Sequence, residues 1–504
     1  MEILNSILVW AMKKRIHQID LFIQYPVEVQ TDWFNTLLDE AKDTEWGLKY
    51  DYASIPSVED FKTTVPIQDY DSLKPFIDRA KAGESDVLWP GETKWFAKSS
   101  GTTNDKSKFI PVTAEALETC HYKGGKDLIS LYIRYNPDSR MFTGRGLVMG
   151  GSSEINKSNP PSYSGDLSSI IIDNLPIWAE VHRTPSKKIA LMSEWEEKLD
   201  KIAEKTAEQN ITTLAGVPSW TLVLLKKVLE LKGAKTISEV WPNLETYTHG
   251  GVSFVPFKKQ FDEILNLPNL NYMETYSASE GFFGLQDLYG KEFDGGLLLM
   301  LDYGVYYEFL PLENVADENP KTLSLDEVEL NTHYALIIST NAGLWRYSVG
   351  DTVMFTHLNP FRIKVTGRTQ QFINVFGEEL MIENAEKAIQ IACDRTNAII
   401  TDFTACPIFM SELDKGGHEW VLEFSAPPKE MDKFASILDT ALKSLNSDYE
   451  AKRYNDYVLQ PPLLHKVAPG TFYSWLKAKG KLGGQNKVPR LSNSRKYVDE
   501  VLAL

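Results

Sequence analysis

Residues 99–108 read Ser-Ser-Gly-Thr-Thr-Asn-Asp-Lys-Ser-Lys, which puts five hydroxyls, a glycine and two lysines into ten positions. Hydroxyls and unpaired backbone N–H groups are what a loop needs to wrap phosphate oxygens, and consecutive amides form an anion-binding concavity. Gly101 lets the backbone come close to a ligand. Ser99, Ser100, Thr102 and Thr103 supply the hydroxyls, and Lys106 and Lys108 add positive charge. The G-x-x-x-x-G-K-S/T spacing of a Walker A loop is absent. A solvated Ser/Thr-rich turn is the plainer reading of the same letters.

Three other segments concentrate reactive groups. Residues 275–281, Thr-Tyr-Ser-Ala-Ser-Glu-Gly, combine a ring, aliphatic hydroxyls and a carboxylate after the extended run 270–273. The ring of Tyr276 can stack on a flat base, and Ser279 can hold a phosphate. Glu280 can ligate Mg²⁺, which takes oxygen ligands and bridges phosphates. Residues 343–351 end in Gly350-Asp351 after a strand-like run, and a carboxylate at a strand end is where α/β folds bind ligands. Such an aspartate can accept from both hydroxyls of a ribose. Lys487, in Gly-Gly-Gln-Asn-Lys-Val-Pro-Arg at 483–490, sits on a glycine-flanked loop that can travel. Each has an ordinary alternative: a strand-to-loop turn, a Gly-Asp β-turn, a solvated basic tail.

The elements that must position these groups alternate in type. Residues 3–23 read as an amphipathic helix, followed by a helical stripe at Trp33, Phe34, Leu37, Leu38 and Ala41. Residues 199–203 continue the helical pattern. The apolar run 211–217 gives way at Pro218, a normal helix entry, to a helix over 220–231. Strand-like runs occur at 147–149, 296–301, 305–310, 335–339 and 420–424. Interleaved helices and strands make the class α/β. From residue 361 the texture changes. A strand at 362–366 meets a polar break at 367–371, then come a strand at 372–376, helices at 382–393 and 431–445, and a basic tail. We expect a large multi-sheet N-terminal domain, 1–369, and a small mobile α+β C-terminal domain, 370–504, with a hinge near 366–371.

A chain of 504 residues exceeds what one hydrophobic core organises. The formal net charge of −16 argues against nucleic acid and against anionic membranes as partners. An anionic substrate must therefore meet a local island of Lys and Arg. Cys120, Cys393 and Cys406 are three widely spaced thiols with neither a disulfide framework nor zinc spacing, which suits the cytoplasm. Nothing reaches the ~20 apolar residues of a membrane span. No extended apolar seam is visible, so a monomer is expected.

The order of the motifs adds what no single one supplies. A hydroxyl-rich loop, a Tyr/Ser/Glu turn, Gly-Asp, Gly-Arg at a hinge and a late loop lysine together resemble the adenylate-forming superfamily of acyl-CoA synthetases, luciferases and peptide-synthetase adenylation domains. Within it the chain most closely resembles the auxin-responsive Gretchen Hagen family of acyl acid–amido synthetases. Longer strings carry that likeness: residues 99–111, Tyr-Ser-Ala-Ser-Glu-Gly-Phe-Phe-Gly at 276–284, Tyr-x-Val-Gly-Asp-x-Val at 347–353, and 445–449, 469–472 and 486–490 near the end. The early strings 57–61 and 65–67 also fit. Asp105 stands where the superfamily usually has glycine, and Gln370 and Gln371 where it often has acidic residues; Gly367-Arg368 and Gly377-Glu378 keep its frame.

The resemblance implies ATP-dependent activation of a carboxylic acid and transfer of the acyl group to an amino acid amine. It implies that Ser99, Ser100, Gly101, Thr102, Thr103 and Lys108 hold the β- and γ-phosphates, that Ser279 lies near the α-phosphate and that Glu280 carries Mg²⁺. Tyr276 would lie on the adenine, Asp351 and Arg368 on the ribose, and Lys487 would swing in during adenylation. Met149 and Gly150, with His249 and Gly250, are candidate walls of an acid pocket; His249 reads equally as a structural histidine. Two alternatives stay open at this point: an acyl-CoA ligase sharing the first half-reaction, and a nucleotide-binding protein without turnover.

Overall fold

The computed structural model describes residues 2–100, 107–150, 162–192, 195–251, 254, 258–293, 295–315, 317, 320–368, 372–373, 375–376, 378, 380–409, 415–454, 458–479, 488 and 490–504. The chain forms two compact units. One comprises residues 1–99, 109–251 and 261–369, and the other 100–108, 252–260 and 370–504.

Helices Glu2–Gln24 and Pro26–Ala41 open the first unit. Pro26 starts the second of these, where its missing N–H is no loss. Phe34, Leu37, Leu38 and Ala41 recur at helical spacing and are all buried. Helix Pro218–Lys232 begins the same way and ends at Gly233, whose φ of 61° takes the left-handed turn that stops it.

In chain order the strands are β1 (Trp95–Ser100), β2 (Ser107–Val112), β3 (Arg145–Val148), β4 (Tyr163–Gly165), β5 (Arg183–Thr184), β6 (Ile211–Ala215) and β7 (Thr246–Gly250). Then come β8 (Asn271–Ala278), β9 (Gly281–Leu285), β10 (Leu297–Leu299), β11 (Val305–Pro311), β12 (His333–Thr340), β13 (Tyr347–Leu358) and β14 (Phe361–Arg368). An 11-stranded sheet runs β11-β12-β13-β14-β10-β9-β8-β7-β6-β3-β5. Its β5-β3-β6-β7-β8 half is parallel. The rest is antiparallel. A second sheet has the order β2-β1-β4.

The second unit holds the hairpin β15 (Phe372–Ile373) and β16 (Leu380–Met381), and a sheet of β17 (Ile399–Ile408), β18 (Gly417–Ala426) and β19 (Leu463–Val467). Helices Ile382–Thr396 and Met431–Leu445 belong to the same unit and pack together.

Two local expectations are corrected. The strand expected at 362–366 continues through Gly367 and Arg368, because β13 pairs with both: Thr352 opposite Gly367 and Asp351 opposite Arg368. The strand expected at 372–376 stops at Ile373. The N–H groups of Val375 and Phe376 donate instead to the two carboxylate oxygens of Glu378, each at 2.7 Å. Glu378 has no exposure, and His418 Nε2 lies 2.9 Å from its Oε1. Among the described residues no helix is long and apolar enough to cross a membrane.

Candidate functional site

Strands β8 and β9 form a hairpin whose turn is Ser279-Glu280. Near its end Tyr276 is buried, with its ring 5.0 Å from that of Phe283. Its Oη donates to Asp351 Oδ2 at 2.6 Å, across 75 residues of sequence. In a flat sheet β8 and β13, four places apart in the order, would lie about 19 Å from each other. A tyrosine cannot reach that far, so the sheet curls back on itself at the carboxyl end of β8.

Asp351 lies where β13 departs from its partner. Ser348 pairs with Ile337 and Thr352 with Ala335, so three residues of β13 face one of β12. A bulge of this kind re-aims side chains. Gly350 carries the bend at φ 87°, a conformation most side chains resist. On the other side Asp351 pairs with Arg368, which brings the two candidate ribose residues to adjacent ladder positions.

Ser279 and Glu280 line a small crevice together with Cys120, His121 and Asn341. His121 belongs to a π-helical turn, Leu117–Tyr122, a distortion that recurs at functional sites. It is 6% exposed, and its Nδ1 meets no hydrogen-bond partner among the described residues. Burial pushes its imidazole down to about 4, so it is neutral at pH 7. Residue type and spacing do not single out His121, because a π-turn has no sequence signature. The Cys120 Sγ accepts the N–H of Phe282 at 3.1 Å, and burial pushes its thiol up to about 12, so it is no nucleophile.

The described residues contain no group of three or more His, Cys, Asp or Glu arranged around a metal. A single carboxylate ligand, the role read for Glu280, suits Mg²⁺, which commonly takes one or two carboxylates and completes its shell with substrate phosphates and water.

The four candidate acid-pocket residues stand at the carboxyl ends of β3 and β7, the two parallel strands that flank β6. Met149 follows β3 and donates its N–H to the Ala215 carbonyl at 2.9 Å, and His249 and Gly250 end β7. This is where open α/β sheets bind ligands. His249 is buried within ring-contact distance of Tyr247 and Tyr272, and burial pushes it down to about 3. Gly250 has a packing reason: a Cβ there would come within 2.5 Å of the Thr275 carbonyl oxygen. Lys198, which the sequence reading passes over, is fully buried and donates to the Gly150 carbonyl at 2.9 Å. Burial lowers its ammonium to about 8.

Ser99 and Ser100 end β1 and Lys108 lies on β2, the strands flanking the phosphate-loop candidate. Ser100 and Lys108 group with the second unit. Gly101, Thr102, Thr103 and Lys487 lie outside the described residues. The structure thus joins Tyr276 to Asp351, sets Asp351 opposite Arg368, and puts Ser279 and Glu280 on one turn.

Residues 15–269 match the GH3 family N-terminal domain, 298–368 its central domain and 383–496 its C-terminal domain. A 4-substituted benzoates-glutamate ligase, GH3.12 of Arabidopsis thaliana, is 26% identical, covering 86% of this chain and 88% of that protein. An indole-3-acetic acid-amido synthetase, GH3.3 of the same plant, is 24% identical over 92% and 89%. A jasmonoyl-L-amino acid synthetase, GH3.5 of Oryza sativa subsp. japonica, is 22% identical over 96% and 95%. Among solved structures, the GH3.15 acyl acid amido synthetase superposes with a TM-score of 0.61 at 17% identity, over 97% and 96% of the two chains. A 2-hydroxyisobutyryl-CoA ligase gives 0.54 at 12%, over 98% and 91%. These two likenesses establish the fold.

Proposed function

The chain belongs to the GH3 family, and from that premise we propose that it is an ATP-dependent acyl acid–amido synthetase. It joins a small carboxylic acid to an amino acid and releases AMP and pyrophosphate. The observation that carries this reading is the Tyr276–Asp351 hydrogen bond, which brings two separate sequence motifs to one point beside the carboxyl ends of the parallel strands.

A carboxylate does not acylate an amine at neutral pH, because oxide is not a leaving group. In the first step a carboxylate oxygen attacks the α-phosphorus of ATP, and the bond to the β-phosphate oxygen breaks. Pyrophosphate leaves and an acyl-adenylate remains. Negative charge gathers on phosphoryl oxygens, so catalysis is positioning and electrostatics. Ser99, Ser100, Gly101, Thr102, Thr103 and Lys108 bind the β- and γ-phosphates, and Ser279 faces the α-phosphate. Glu280 would hold Mg²⁺, which when bound neutralises phosphate charge. Asp351 accepts from the ribose hydroxyls with Arg368 beside it, and its hydrogen bond to Tyr276 fixes the carboxylate for that task while the ring of Tyr276 borders the adenine. Lys487 approaches the reacting phosphate.

In the second step the amine attacks the acyl carbon, loses its proton, and AMP departs. The C-terminal domain, 370–504, turns about a hinge near 366–371 between the two steps, so that one site serves both and water is kept from the intermediate. Met149, Gly150, His249 and Gly250 border the acid. The protein works in the cytoplasm as a monomer, a reading that rests on the three widely spaced cysteines and the lack of an extended apolar seam in the sequence.

Acid-dependent exchange of labelled pyrophosphate into ATP tests the first step. Purified protein should show it with at least one acid of a broad panel. Absence of exchange with every acid rules out adenylation.

A further inference from the structure

Resting on the ribose role proposed for Asp351, we infer that Arg346 is a positioning residue for ATP: its guanidinium locks the start of β13 so that the bulge at 349–351 holds Asp351 on target.

Arg346 is 3% exposed and Glu308, on β11, is not exposed at all. All five N–H donors of the guanidinium are engaged. Nε donates to Glu308 Oε1 at 3.0 Å. Nη2 donates to Glu308 Oε2 at 2.8 Å and to Thr322 Oγ1 at 3.0 Å. Nη1 donates to the carbonyls of Lys62 and Val65 at 2.5 and 2.6 Å. Thr322 in turn donates to Glu308 Oε2 at 2.5 Å. The backbone of Arg346 is held as well. Its N–H donates to Ser339 Oγ at 3.0 Å, and its carbonyl accepts from the Gln68 N–H at 2.9 Å. It sits at φ 42°, a left-handed conformation that a non-glycine residue keeps only when its surroundings impose it.

That anchoring has a geometric consequence five residues on. The bulge puts three residues of β13 opposite one of β12. Moving the segment before the bulge, residues 347–348, two residues along β12 would remove it and restore a regular ladder, with Ser348 opposite Ser339 rather than Ile337. A two-residue slide keeps every side chain on its own face, so the apolar pattern does not oppose it. It would straighten the backbone at 349–351 and re-aim Asp351 away from the Tyr276 hydroxyl. The Arg346 lock does oppose it. Sliding would pull the guanidinium off Glu308 and strand a buried carboxylate, and it would break the carbonyl contacts at 62 and 65. Nothing about this arrangement requires Arg346 to touch the nucleotide.

The test compares ATP with 2′-deoxy-ATP in acid-dependent pyrophosphate exchange. Wild type should favour ATP by about tenfold or more, the weight of a hydrogen bond to a charged group. The double variant Arg346→Met/Glu308→Leu replaces the pair by apolar side chains of similar length and leaves no stranded charge. Folded by circular dichroism and thermal melting, it should lose most of that preference and show a raised KM for ATP with an unchanged KM for the acid. Thr322→Val, which removes one partner only, should move both in the same direction by less, and it decides the matter if the double variant does not fold. A folded variant that keeps the wild-type preference and KM overturns the inference and leaves the ribose reading standing. A wild type indifferent to the 2′-hydroxyl overturns the ribose reading, and this inference with it.

Discussion

The hydroxyl of Tyr276 donates to the carboxylate of Asp351 at 2.6 Å, with both residues buried. The carboxylate is oriented before any ligand arrives. Preorganisation of this kind lowers the cost of binding, because the side chain is already ordered.

Asp351→Asn should therefore raise the KM for ATP by about 10- to 100-fold, the equivalent of 1.5–3 kcal/mol for a charged hydrogen bond. Tyr276→Phe should raise it less. Because the two groups act as a unit, the double variant should cost clearly less than the sum of the singles. Steady-state kinetics of all three checks this, and strict additivity would show that the pair does not cooperate.

Glu280→Ala and Lys487→Ala should each lose about 10²–10³ in the rate of adenylation while keeping the wild-type melting temperature, the scale of an electrostatic group removed from a transition state. Removal of Mg²⁺ by a chelator should abolish exchange in wild type. Full exchange without divalent cation would contradict the role given to Glu280.

In the C-terminal unit Glu378 is buried, which on its own raises a carboxyl pKa, yet the His418 ring and the N–H groups of Phe376 and Val375 hold it below the ordinary value. Removing His418 takes away one of the three hydrogen-bond partners that this buried carboxylate has among the described residues, so His418→Ala should destabilise this unit by about 1–3 kcal/mol. His418→Gln, which retains a donor, should cost less. The stability Glu378 contributes is present above its unfolded pKa and is lost as pH falls through the lower folded value. Hydrogen exchange over residues 380–504 reads the effect; unchanged protection in His418→Ala would refute it.

His249 titrates near 3 in the fold because it is buried, against about 6.5 when unfolded. The unfolded chain thus binds more protons between those values. Stability contributed through this residue should fall as pH drops from about 6.5 towards 3, with a slope of at most about 1.4 kcal/mol per pH unit. Denaturant unfolding across that range should be flatter for His249→Asn than for wild type. Parallel curves would show that the imidazole takes up a proton inside the fold.

The local chemistry was legible in the letters, and the spatial relationships were not. Helical spacing marked the apolar face Phe34–Ala41, and the residue types at 275–281 suited a strand-to-loop turn, which the fold makes the β8–β9 hairpin turn at Ser279-Glu280. Nothing local to Asp351 reveals the bulge, since it arises from the mismatch of β13 with β12. Gly367 and Arg368 read as a polar break because their strand state depends on pairing with a distant partner, Asp351 and Thr352. Residues 375 and 376 have strand propensity, but the Glu378 carboxylate captures their amides first. His121, Lys198 and Arg346 escape a reading of motifs for the same reason. Each draws its character from burial in the fold, and the Lys198–Gly150 and Arg346–Glu308 contacts reach across 48 and 38 residues of sequence.

The central claim is that a carboxyl oxygen of the acid bonds to the α-phosphorus of ATP and that the acyl group then passes to an amine. The direct measurement uses an acid labelled with heavy oxygen in its carboxyl group, together with ATP and a mixture of amino acids, with products read by mass spectrometry. The account predicts AMP carrying one heavy oxygen, in equal amount to an amide of the acid. Unlabelled AMP, or ADP with labelled phosphate, would contradict it; labelled AMP with a thioester formed only when coenzyme A is supplied would contradict the amide step alone.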